Sequence, residues 1–186
     1  QPGPDLGVLV DEPLEAEDID YENSDNPILV KIEEYPRIGA SVFNELKNYP
    51  EKSIIFQGND YSLRFDADNL NTVIPQAEIY DFRMSFTSPD EDDIYAIIGE
   101  YEANDDIIDN VVMAYFTYHG SLPGPAAFRL SLGTKYGSRT LYWHYYNQER
   151  DRIDYYGTVK SNNKGNFGVV IDHFSTYLIS PKHRLA

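Results

Sequence analysis

The chain has no cysteine, one tryptophan, two methionines and only 15 lysines and arginines among its 186 residues. Without cysteine there is no disulfide, no thiolate metal ligand and no cysteine nucleophile. An extracellular home stays open, because a domain of this size needs no disulfide staples. The basic residues face 31 acidic ones, which leaves a formal net charge of −16. A nucleic-acid binder gains affinity from clustered Lys and Arg that release phosphate counterions, so DNA and RNA are excluded as partners. No run approaches the ~20 apolar residues of a membrane span, and nothing reads as a signal peptide. Membrane insertion is therefore not expected, and a start at Gln1 suits a mature or trimmed chain whose export signal, if any, lies upstream. Ser121, Ser131 and Ser175 have no Gly-x-Ser-x-Gly elbow, no glycine-rich phosphate loop precedes a helix, and no cofactor is expected.

What is present is aromatic and β-patterned. Residues 1–34 crowd acids between prolines and glycines and read as an acidic linker, partly packed on the domain, with an edge strand near Pro27 to Ile32. Residues 35–186 read as a single domain. In Ile38-Gly-Ala-Ser-Val-Phe-Asn-Glu-Leu-Lys47, Val42, Phe43 and Leu46 fall at helical spacing behind a Ser41 N-cap, which predicts one short helix near residues 40–48. Strands are predicted at Ser53 to Phe56, Tyr61 to Phe65, Ile79 to Thr87, Val111 to Tyr118, Ala126 to Leu132, Thr140 to Asn147, Ile153 to Lys160, Asn166 to Asp172 and Ser175 to Ile179. Between Asp90 and Asn110 the pattern is ambiguous, with room for a strand around Ile94 to Ile98 and a turn at Asn104-Asp105-Asp106. The expected fold is mainly β, an antiparallel β-sandwich, and a monomer.

The most specific segment is an aromatic hairpin, Thr140-Leu-Tyr-Trp-His-Tyr-Tyr-Asn147, a polar turn Gln148-Glu-Arg-Asp151, and Arg152-Ile-Asp-Tyr-Tyr-Gly-Thr-Val159. Strand side chains alternate, so Leu141, Trp143 and Tyr145 share one face and Tyr142, His144 and Tyr146 the other. Leu141 marks its face as core, which turns Trp143 inward. Regular pairing would set Tyr142 opposite Tyr156 and His144 opposite Asp154. The expected ligand-binding set is thus Tyr142, His144, Tyr146, Asp154 and Tyr156. Aromatic faces stack on sugar C–H surfaces and flanking polar groups bond hydroxyls. The same rings could instead be cross-strand pairs that stabilise the sheet by roughly 0.2–1 kcal/mol each, or a protein-contact face.

The order Leu122-Pro-Gly-Pro-Ala-Ala, Thr140-Leu-Tyr-Trp-His-Tyr-Tyr-Asn, Phe167 to Ile171, then His173-Phe-Ser-Thr-Tyr-Leu-Ile resembles a module repeated in secreted and cell-surface proteins of Firmicutes. The likeness spans roughly Pro36 to Ser180. In those modules the Leu-Pro-Gly segment is a turn. They often accompany dockerins, S-layer repeats or glycan-degrading enzymes. The resemblance implies an extracytoplasmic, Gram-positive, non-enzymatic β module and carries no catalytic residues to transfer.

Catalytic and metal readings are weaker. His173-Phe174-Ser175 is similar to the cleavage site of self-cleaving nucleoporin domains, where a strained peptide undergoes an N-to-O acyl shift. His119, His144, His173 and His183 have no ligand spacing. The acids Glu91, Asp92 and Asp93, and the group Asp66, Asp68 and Asn69, offer oxygens for calcium, but solvated loops explain both more simply. The expectation is an extracellular or surface-attached binding module, not an enzyme. Its partner is expected to be a polysaccharide first and a cell-surface protein second, with a structural spacer or an autoproteolytic domain as alternatives.

Overall fold

The computed structural model describes residues 12–101 and 110–185. Among the described residues the fold is mainly β, with strands β1 (Ile28–Lys31), β2 (Arg37–Gly39), β3 (Ser53–Gln57), β4 (Tyr61–Asp66), β5 (Ile79–Asp81), β6 (Met84–Ser85), β7 (Val112–Ser131), β8 (Thr140–Asn147), β9 (Arg152–Lys160) and β10 (Asn166–Ser180). Two α-helices accompany them among the described residues, α1 (Ala40–Leu46) and α2 (Glu91–Tyr101). The large sheet runs β1-β3-β4-β7-β10-β8-β9, with β6 also on β7, and β2 and β5 form a small second sheet. β1 pairs with β3 in parallel, and an isolated bridge between Leu14 and Ile38 is parallel too, while β3–β4, β2–β5, β6–β7, β8–β10 and β8–β9 pair antiparallel. By contacts the chain divides into two compact units. One takes in Gln1–Arg83, Thr117–Arg129 and Val170–Phe174, the other Met84–Phe116, Leu130–Val169 and Ser175–Ala186.

In the first unit, helical spacing puts Val42, Phe43 and Leu46 on one buried stripe of α1. Phe43 lies edge-on to Phe65 at 5.1 Å and to Tyr80 at 5.5 Å, so it joins β4 to the small sheet. Ser41 is not the N-cap: that position falls to Gly39, and the Ser41 hydroxyl donates to the Glu15 carboxylate while accepting the Ala16 N–H at 2.9 Å. A side chain at Gly39 would collide with that carboxylate. The acidic segment is accordingly anchored from Leu14 onward, where the Leu14 N–H donates to the Arg37 carbonyl at 2.9 Å. Leu14 and Tyr21 are buried, and the Tyr21 hydroxyl donates to the Val42 carbonyl at 2.7 Å. The strand expected near Pro27 to Ile32 is present as β1.

Two predicted strands merge in β7, which runs straight through Leu122-Pro123-Gly124 where a turn was expected. The segment after β4 lies against it. The Asn71 N–H donates to the Pro123 carbonyl at 2.8 Å, and a Cβ on Gly124 would sit 2.9 Å from the Leu70 Cα. Glycine is needed there for close backbone approach.

In the second unit, the ambiguous segment after Asp90 is the helix α2 and not a strand. Glu91, Asp92 and Asp93 occupy its first turn, where the helix dipole favours negative charge, and Ile94 and Ile98 come to one face at i, i+4. Both isoleucines are buried with Val111, Met113, Tyr146, Ile153, Leu178 and Leu185. The turn expected at Asn104-Asp105-Asp106 lies outside the described residues, as does the linker reading of residues 1–11.

Candidate functional site

The aromatic hairpin forms where the sequence places it, β8 and β9 pairing around a turn in which Asp151 takes a left-handed φ of 48°. Its register differs from the regular one. Trp143 faces Gly157 and the next residue, His144, faces Tyr155, so Tyr156 is the extra residue of a β-bulge. Gly157 beside it has φ of 140°, a conformation that L side chains rarely adopt. Tyr142 is opposite Thr158 and Asp154 opposite Tyr145, instead of the expected Tyr156 and His144.

One face of this hairpin carries a row of rings. Phe167 meets Trp143 edge-on at 6.2 Å, Trp143 stacks on Tyr177 at 4.7 Å, Tyr177 tilts against Tyr145 at 6.3 Å, and Tyr145 stacks on Tyr156 at 5.8 Å. The row passes from buried to exposed: Phe167, Trp143 and Tyr177 are buried, Tyr145 is half-buried and Tyr156 is 52% exposed. Trp143 is core, as alternation requires. Asp154, directly across from Tyr145, shares its face and accepts from Arg152 Nε at 2.8 Å and from the Asn147 amide at 3.5 Å.

The opposite face corrects two of the predicted site residues. His144 has no exposed surface and Tyr146 is also buried, although both were expected to face solvent. The reason is α2 and the C-terminal segment: Ile94, Ile98 and Leu185 pack in the same cluster as Tyr146. The Leu185 N–H donates to His144 Nε2 at 2.8 Å. That fixes Nε2 as the acceptor, so Nδ1–H is the donor to the Leu178 carbonyl at 3.3 Å. Burial pushes the His144 pKa down to about 4. The Tyr146 hydroxyl donates to Asp151 at 2.8 Å, and burial together with that carboxylate raises its pKa. Tyr142 is half-buried on the same side, so it is separated from Tyr156 by the thickness of the sheet.

Of the five predicted residues the structure therefore groups Asp154 and Tyr156, together with Tyr145, which had been assigned to the core. The signal that was missed is Gly157: an isolated glycine inside a strand pattern marks a bulge, and a bulge re-aims the neighbouring side chain. Chemically the group offers ring faces for stacking beside a carboxylate, a guanidinium and an amide.

His173-Phe174-Ser175 lies within β10, and His173 Nδ1 is 2.8 Å from the carboxylate of Asp172. Positive φ angles occur elsewhere among the described residues, not in this tripeptide. Asp66 is held by the Ser53 hydroxyl at 2.5 Å and Arg64 at 3.0 Å, which lower its pKa. No family model matches the chain, and neither a curated protein nor a solved structure matches it.

Proposed function

We propose that this chain is a non-catalytic, extracytoplasmic binding module, of the kind carried by secreted and cell-surface proteins of Firmicutes, that holds a glycan on the exposed end of its aromatic row. The observation that carries the reading is Tyr156, 52% exposed and stacked on Tyr145 beside Asp154. A bulge keeps this large ring in solvent at the sheet's end strand, although burying it would stabilise the fold. A pyranose ring laid on Tyr156 would bring its hydroxyls toward Asp154, Arg152 and Asn147, groups that both accept and donate.

Affinity electrophoresis through gels cast with different polysaccharides tests this. Wild type is expected to be retarded by at least one polysaccharide, and Tyr156→Ala to migrate as in a gel without it. Migration unaffected by every polysaccharide, together with recovery of a protein partner whose binding needs Tyr156, favours a protein-interaction module instead.

A further inference from the structure

Leu122 and Pro123 wall a cleft contained in the first unit and outside the hairpin. Its volume is about 240 Å³, and it is lined by Val73, Pro75, Glu78, Tyr118, Ser121 and Pro123 among others. Sites that engulf drug-sized ligands run to roughly 300–1,000 Å³, so this one suits a single narrow chain end. The structure assigns it, we infer, to an alkylammonium group: a lysine side chain or the end of a linear polyamine.

Glu78 carries the one charge among the lining side chains. Its Oε1 accepts the Tyr118 hydroxyl at 2.5 Å. Oε2 accepts no hydrogen bond from the described residues. Tyr118 has a single proton, directed at Glu78 at 2.5 Å with the Ser121 carbonyl a distant alternative at 3.5 Å, so both groups present lone pairs to an incoming ligand. An ammonium group supplies three donors and needs no acceptor. None of the lining side chains offers an anion a counter-charge. Lys47, on the same unit, donates to the Thr72 carbonyl at 2.9 Å, and the Asn71 amide donates to the Leu122 carbonyl at 3.0 Å. Val73, Ile74, Pro75 and Pro123 give the methylenes of an alkyl stem an apolar wall, while the phenol ring of Tyr118 adds cation–π attraction. The chain's net charge of −16 raises the local concentration of cations.

The test is an NMR titration of amide resonances in the whole chain with cadaverine, with Nα-acetyl-lysine methylamide and with glucose. Either amine is expected to move the resonances of Val73, Tyr118 and Ser121, while glucose leaves them in place. Equal response to both amines identifies a lysine side chain as a sufficient ligand; response to cadaverine alone identifies a polyamine. Glu78→Gln, which still accepts from Tyr118, is expected to weaken binding about tenfold or more. Tyr118→Phe, which keeps the ring and the carboxylate, is expected to bind within about threefold of wild type. On the wild type alone, raising NaCl from about 0.05 M to about 0.5 M is expected to weaken binding several-fold. No shift with either amine, undiminished affinity in Glu78→Gln, insensitivity to salt, or an equal response to glucose overturns the proposal.

Discussion

A histidine with no exposed surface must remain neutral to stay in place, and His144 is held so at both ring nitrogens by Leu178 and Leu185. Burial lowers its pKa to about 4 from an ordinary value of 6.5. A depressed folded-state pKa means the unfolded chain takes up the proton first. The contribution is therefore intact above pH 6.5 and is lost as the pH falls toward about 4, amounting to about 3 kcal/mol over that window. Denaturant melts of wild type and His144→Gln at a series of pH values check it. The variant is expected to be the less stable at pH 7, and the gap is expected to narrow on acidification through that range. At the same scale, the two ends of the aromatic row behave oppositely. Trp143→Ala is expected to cost about 3–5 kcal/mol because it empties a buried site, while Tyr156→Ala is expected to cost about 1 kcal/mol, the worth of one exposed stack.

Among the elements, the bulge in β9 decides where the exposed ring points. A Cβ on Gly157 meets nothing within 4 Å, so any cost of Gly157→Ala comes from its φ of 140° and not from crowding. That cost is expected to be about 1–3 kcal/mol in thermal or urea unfolding, with loss of the Tyr145–Tyr156 stack as the strand returns to regular pairing. The start of α1 makes a contrasting case. Gly39→Ala is crowded by the Glu15 carboxylate, and Glu15→Ala is expected to remove most of that penalty, a coupling measurable by a double-mutant cycle. Elements with a clean local pattern were legible in the sequence: β8 begins and ends at the predicted residues, and α1 falls where the spacing of Val42, Phe43 and Leu46 puts it. The bulge and α2 were harder to read. The acids before Ile94 and Ile98 mask a helical face as a loop, and once α2 is misread the face holding His144 and Tyr146 looks free for ligand. Composition also hid the anchoring of the N-terminal segment, because Leu14 and Tyr21 are sparse apolar positions among many acids, and their burial depends on partners far along the chain.

For the whole molecule, the charge imbalance dominates. With −16 formal charges the folded chain repels itself, and screening is expected to raise Tm by a few degrees between about 0.02 M and about 0.3 M NaCl. Flat Tm over that range would mean that the acids are already compensated by the fold. The fold class was legible at this scale from regular strand spacing and turn residues, whereas sheet order and the parallel pairing of β1 with β3 depend on contacts distant in sequence. At this scale too belongs the proposal that the exposed end of the aromatic row is a glycan-binding surface. Its most direct measurement is a glycan array probed side by side with wild type and Tyr156→Ala at matched fold and concentration. A defined set of glycans is expected to be bound by wild type and lost in the variant. Wild-type binding that survives the loss of the Tyr156 ring, or binding to no glycan at all, would contradict it.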